Sequence, residues 1–395
     1  MKHLFTFFFS FLYLSQPLLA FSKLPEIENP SFQFKNLYNV QYLRSFFVKL
    51  DALVEGKKFY VNIAHIGDSH IQADHFTQTC RKLWQQDFGN AGRGFFFPYQ
   101  LASSNGPTSF IASSTGNWKA NRSTKYSDNG PFGLTGISLT TQTKTSGFKL
   151  AFLDSFSSDD FIELDCFYKS IDETAPRING LKGNTLPEVG SRFFFDSLQR
   201  NITLKLESNL AANHEFSFFG FNAKNGYPGV LYHSLGLNGA SVKSTLKNTY
   251  FSEHLKILSP HLVIISLGTN DGFMPQSKFC SPCFENDLRQ LIARVKKSNE
   301  NVSILLTTPG DSYRQKKYHN YNNPEIKRII IKLADEMHFA VWDFNQWMGG
   351  EFSMKKWHSK GWAQNDLVHF TKAGYKFMGQ QLYESILEAY EKRMD

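Results

Sequence analysis

The chain has 395 residues, of which 41% are hydrophobic, enough to bury a substantial core and to build two domains. Its formal charge of +8, from 43 basic and 35 acidic residues, is spread along the chain and forms no basic block of the kind that makes nucleic acid the main partner. Beyond the first 20 residues no apolar run is long enough to suggest a transmembrane helix.

Residues 1–20 have the pattern of a secretory signal: a basic start at Lys2 and His3, a Phe- and Leu-rich run from Leu4 to Leu14, a break at Pro17, and a cleavage site at Leu18-Leu19-Ala20. This predicts cleavage after Ala20 and a periplasmic or secreted protein, with an uncleaved anchor as the alternative. Residues 21–57 read as an extended segment followed by a helix, with Leu43, Phe46, Phe47, Leu50 and Val54 at helical spacing.

Residues 58–97 open an α/β domain. Val61, Ile63 and Ile66 mark a short buried strand, Gly67-Asp68-Ser69-His70 a tight turn, and a helix then runs to about Phe88, with Phe76, Cys80 and Leu83 on its apolar stripe. From residue 98 to 215 helical periodicity disappears. Short alternating runs replace it (Phe148, Leu150, Phe152; Ile162, Leu164, Cys166, Tyr168; Ile202, Leu204, Leu206), separated by turn signals such as Asn179-Gly180. This predicts an antiparallel β-sandwich inserted into the α/β domain. In it, Trp118 and Tyr126 either stack on sugar rings or fill the sandwich.

Over residues 216–395 the α/β pattern resumes. Phe216 to Asn222 is expected to rejoin the sheet, followed by strands at His261–Leu267, Val302–Leu306 and Phe339–Phe344, alternating with amphipathic helices. The expected fold is a three-layer α/β/α domain with a parallel sheet, interrupted by the sandwich. Cys280-Ser-Pro-Cys283 precedes a helix and suits a local disulfide. Cys80 and Cys166 read as buried free thiols.

Two polar turns at strand ends supply a hydroxyl, Ser69, and a side-chain amide, Asn270 in Gly268-Thr-Asn-Asp271, and a stretch near the C-terminus supplies an Asp-x-x-His pair, Asp366 and His369. With Gly239 in Leu235-Gly-Leu-Asn-Gly-Ala240 they form four blocks in order, and the chain resembles the SGNH (GDSL-like) hydrolases from about Tyr60 onward. His70 stands where the family usually has leucine. Gly-Asp-Ser-His-Ile-Gln-Ala73 and Phe88-Gly-Asn-Ala-Gly-Arg-Gly94 are similar to the peptidoglycan O-acetylesterase subgroup, whose members carry an inserted sandwich similar to a carbohydrate-binding module.

The resemblance implies Ser69 as nucleophile, His369 as general base, Asp366 as its orienter, and an oxyanion hole from the N–H groups of Ser69 and Gly239 with the Asn270 amide. Asp68, His70 and Asn238 are candidates for a supporting role, and Thr269 and Asp271 flank the site. No cofactor is implied.

A metal reading would use Asp68 and His70 with His65, Asp74 and His75 nearby. It requires a later Gly-Asn-His, where this chain has Gly268-Thr-Asn270, so no metal is expected. The activity implied is removal of O-acetyl groups from a polysaccharide, O-acetylated peptidoglycan first. The alternatives are an acetylxylan-like substrate, an O-acetyltransferase using the same serine, a non-catalytic glycan-binding protein, and a lipid or thioester hydrolase.

Overall fold

The computed structural model describes residues 36–143, 145–153, 159–171, 174–206 and 215–392. The expected signal at 1–20 and the extended segment after it lie outside these residues.

A six-stranded sheet runs in the order Leu37–Tyr38, Ala340–Trp342, Ser303–Thr307, Leu262–Ser266, Tyr60–Gly67, Gly229–Gly236. Its strands are parallel except Leu37–Tyr38, which pairs antiparallel with Ala340–Trp342. Successive side chains point to opposite faces. Val61, Ile63 and Ile264 enter one apolar cluster with Phe46 and Leu50 of helix Arg44–Val54, Trp84 of helix His75–Phe88 and Leu382 of helix Lys372–Lys392. Ile66, Val263 and Ile265 enter another with Leu255 of helix Phe251–Leu258, Leu291 of helix Ser281–Ser298 and Ile329 of helix Asn323–Met337. Helices on both faces explain why these strands read as unbroken apolar runs.

The 98–215 stretch builds two antiparallel sheets, as its alternating pattern predicts. One has five strands, with Gly147–Phe152 between Asn201–Lys205 and Phe110–Thr115. The other has seven, with Phe161–Ser170 at its centre beside Phe216–Lys224. They pack face to face through Phe148 and Phe218, whose rings lie 5.1 Å apart.

Phe216 to Asn222 is therefore a correction: it does not rejoin the parallel sheet, which resumes at Gly229. Phe216–Lys224 lies between two layers. Phe218 and Phe221 meet Phe148 of the opposite sheet, while Phe219 meets Tyr250 and His254 at the cap and in the body of helix Phe251–Leu258. Burial on both sides imitates a central parallel strand. Gly94–Phe96 also pairs with it. Among the described residues no helix is long and apolar enough to cross a membrane.

Candidate active site

Strand Tyr60–Gly67 and its parallel neighbours Gly229–Gly236 and Leu262–Ser266 end level with one another, Gly67 opposite both Gly236 and Ser266. The chain turns at Asp68 into a four-residue helix, Ser69–Gln72, whose cap is the Asp68 carboxylate accepting the His70 N–H at 3.0 Å. Gly236 permits this packing: a Cβ there would fall 2.3 Å from the Gln72 nitrogen. The helix predicted to run unbroken to Phe88 stops at Ala73. Asp74 adopts a left-handed backbone (φ 62°), and a new helix starts at His75.

Ser69 Oγ lies 2.9 Å from His369 Nε2, and His369 Nδ1 lies 2.7 Å from Asp366 Oδ2. The second Asp366 oxygen accepts the N–H groups of Val368 and His369, each at 2.9 Å. Leu367 (φ 58°) makes the turn that folds the carboxylate back on the imidazole. Its carbonyl accepts the Tyr313 N–H at 2.9 Å, which ties the turn to a neighbouring hairpin.

The Asp366 hydrogen bond, opposed by burial, holds the His369 pKa above the ordinary imidazole value. Burial works against the Asp366 charge, but the hydrogen bonds from the His369 side chain and the two backbone N–H groups prevail and hold it well below the usual carboxylate range. The carboxylate thus keeps a proton on Nδ1 and leaves Nε2 facing the serine hydroxyl as acceptor.

Gly239 sits on an exposed loop with φ 77°, a conformation that favours glycine. Asn270 directs its amide between Asp68 Oδ2 at 3.2 Å and the Ala240 carbonyl at 2.9 Å, so both its hydrogens have acceptors. Ser69, Gly239, Asn270, Asp366 and His369 all line one cavity of about 660 Å³.

Residues 211–377 match the model of the GDSL-like Lipase/Acylhydrolase family. A solved structure described as a peptidoglycan O-acetylesterase in action superposes with a TM-score of 0.73, covering 88% of this chain and 96% of its own at 24% identity. The chain has the fold of that solved structure, and its residues 211–377 are similar to the GDSL-like family.

A lipase/acylhydrolase from Enterococcus faecalis covers 40% of this chain and 76% of its own (TM-score 0.32, 19% identity), and an acetylxylan esterase from Geobacillus stearothermophilus covers 40% and 73% (0.33, 21%). No curated protein matches the chain in sequence. The family match holds Gly239, Asn270, Asp366 and His369 but leaves out Ser69, which the two antiparallel sheets separate from it along the chain.

Around this site the supporting residues have definite partners. His70 Nδ1 meets the Tyr375 hydroxyl at 2.8 Å, and its ring lies 5.4 Å from that of His369. Asp271 accepts the Val242 N–H at 3.0 Å. Burial, offset in part by that hydrogen bond, pushes the Asp271 pKa up to about 7. Thr269 lines the cavity.

Two residues of the metal reading, His65 and Asp74, are engaged elsewhere. His65 is buried between Tyr232 and Ser266, its pKa lowered to about 3 by burial. Asp74 pairs with Arg81 at 2.6 Å and Arg93 at 2.8 Å, and Arg93 reaches on to Asp159 at 2.5 Å. Among the described residues no cluster of three His, Cys, Asp or Glu is placed to hold a metal ion.

Three features escaped the sequence reading. Gln72, fully buried, accepts the Asn238 N–H at 2.7 Å and donates to Ser104 at 2.9 Å and to the Asn105 carbonyl. Asn105 lines the cavity, so the segment leading into the sandwich contributes a wall of the site. The third is the hairpin Tyr313–Arg314 with Tyr318–His319. Gln72 and Asn105 occupy positions where only the tertiary neighbour gives them meaning, although the polar Ser103-Ser104-Asn105 after a buried stretch was a usable signal.

The remaining expectations divide. Cys280 and Cys283 form a disulfide across the first turn of helix Ser281–Ser298, while Cys80 and Cys166 are free and buried. Trp118 donates to the Gly147 carbonyl at 3.1 Å and packs on Phe148, so it helps fill the sandwich. Tyr126 is 98% exposed.

Proposed function

We propose that this protein is an exported serine esterase that removes O-acetyl groups from a polysaccharide, O-acetylated peptidoglycan first. The observation that carries the proposal is the unbroken contact chain Ser69–His369–Asp366 on the wall of an open cavity. Amide side chains line that cavity (Asn105, Asn238, Gln315, Gln364), and they suit sugar hydroxyls. The fold neighbour described as a peptidoglycan O-acetylesterase, matched over nearly its whole length, favours that glycan. Export rests on the signal pattern of residues 1–20.

Chemically, His369 Nε2 takes the Ser69 proton as Oγ attacks the acetyl carbonyl. The Ser69 and Gly239 N–H groups receive the oxyanion. Asn270 adds a donor by turning the hydrogen that rests on Asp68, the longer of its two contacts. His369 then protonates the leaving sugar hydroxyl, and water, deprotonated by the same imidazole, releases acetate.

The test compares wild type with Ser69→Ala on O-acetylated peptidoglycan and on acetylated xylan, measuring free acetate. Release by wild type from peptidoglycan, and none by the variant, supports the proposal. Equal release by both removes the nucleophile, and release from xylan alone removes the cell-wall substrate.

A further inference from the structure

The hairpin from Tyr313 to His319 is firmly based and strongly cationic at its tip. Its base is anchored by the buried pair His319–Asp311 at 2.6 Å and by the Tyr313 N–H on the Leu367 carbonyl. Asp311 also accepts the Met354 N–H at 2.9 Å, and Phe352 stacks on the His319 ring at 4.4 Å. Gln315 and Lys316 turn the tip with positive φ, 52° and 61°, and both line the cavity that holds Ser69 and His369.

Arg314, Lys316 and Lys317 stand on this short element, and the Lys355 ammonium sits 4.9 Å over the ring of Tyr313, itself a cavity residue. None of these four cations has an acidic partner among the described residues. The carboxylate lining the cavity, Asp366, is engaged by His369. One wall of the site therefore carries an unpaired cation, Lys316, with Arg314, Lys317 and Lys355 on or beside the hairpin that holds it in position. Such a wall concentrates anions and favours a charged group bound beside it.

We propose that this hairpin is a carboxylate-binding subsite that selects glycans carrying an acid group close to the acetylated hydroxyl over neutral acetylated polysaccharides. The inference rests on the esterase reading above and names its substrate class. The carboxylate belongs either to an acidic sugar substituent or to an attached peptide.

The experiment measures kcat/KM for wild type, Arg314→Ala/Lys316→Ala and Lys316→Glu on O-acetylated peptidoglycan fragments. The same fragments are also assayed after carbodiimide amidation of their carboxylates, with neutral acetylated xylo-oligosaccharides as a third substrate. An amidase-treated sample, stripped of peptide and bearing only the sugar carboxylate, separates the two sources of the acid.

The acidic-over-amidated ratio is expected to fall about tenfold in the double variant, mainly through KM, and further in the charge reversal. Added salt is expected to erode the wild-type ratio and to leave that of the double variant flat. A ratio the same in all three proteins overturns the subsite. Wild type inactive on every substrate overturns the esterase reading and this inference with it, whereas activity with no preference for the acidic fragments overturns this inference alone.

Discussion

Gln72 Oε1 accepts the Asn238 backbone N–H at 2.7 Å, linking a residue three positions after Ser69, the proposed nucleophile, to one immediately before Gly239, the proposed oxyanion donor. This amide therefore ties the helix of Ser69 to the loop of Gly239, beside the backbone bond from the Leu237 N–H to the Gly67 carbonyl at 3.2 Å. Its other end holds Ser104 and Asn105, so the cavity wall is fixed by the same side chain. Gln72→Ala leaves the half-buried Asn238 N–H without its partner, at a cost of about 1 kcal/mol. We expect kcat on 4-nitrophenyl acetate to fall about tenfold, because a small misplacement of an oxyanion donor acts on the transition state. A loss confined to thermal stability, with kcat intact, would show that Gln72 only fills space.

His369 must be neutral to accept the serine proton, and its pKa is raised by the Asp366 hydrogen bond. The kcat/KM profile is expected to rise with pH through an inflection above 6.5, the ordinary imidazole value. The same shift fixes the sign for stability. The contribution of the pair is complete below the unfolded imidazole value and fades as pH rises through the folded one. Asp366→Asn removes the leading cause of the shift, so the remaining inflection moves toward acid and kcat falls by about 10⁴. A wild-type inflection at or below 6.5 would contradict the geometry.

The parallel strands and the four polar turns were legible because each follows from local pattern. Val61, Ile63 and Ile66 bury on both faces and read as such, Ser69 and Asn270 follow strand ends, and His369 sits in an Asp-x-x-His turn before the last helix. The failures have one physical source, which is burial by a distant segment. Phe216 to Asn222 looks like a parallel strand because a second sheet covers one side and a helix the other. Asp74 interrupts a helical pattern because Arg81 and Arg93 neutralise it from elsewhere. The cationic hairpin escaped notice because Arg314 and Lys316 are ordinary polar residues until the Leu367 carbonyl brings their hairpin beside the triad.

Asp271 illustrates a carboxylate whose titration works against the fold. Burial raises its pKa to about 7 from a model-compound value of 3.8. Between those values the folded chain keeps a proton that the unfolded chain has lost, so stability declines as pH rises through that window. Asn at this position retains an acceptor for the Val242 N–H and cannot ionise. We expect urea midpoints at pH 5 and pH 8 to differ less in Asp271→Asn than in wild type. Parallel midpoints in the two proteins would mean that the Asp271 carboxylate titrates normally.

Asp74 separates a buried ion pair from a surface one. Its carboxylate and the Arg81 and Arg93 guanidinium groups are nearly inaccessible, with side-chain exposures of 3%, 4% and 2%. Asp74→Ala strands two buried cations, one of which still has Asp159. The expected loss is about 3–5 kcal/mol in the free energy of unfolding. Glu325 and Arg328 pair at the comparable distance of 2.7 Å but stand 34% and 59% exposed, so Glu325→Ala is expected to cost far less than Asp74→Ala. Urea denaturation of the two variants compares the effects directly. Equal costs would mean that desolvation, the difference between the two pairs, does not govern the stability of the Asp74 cluster.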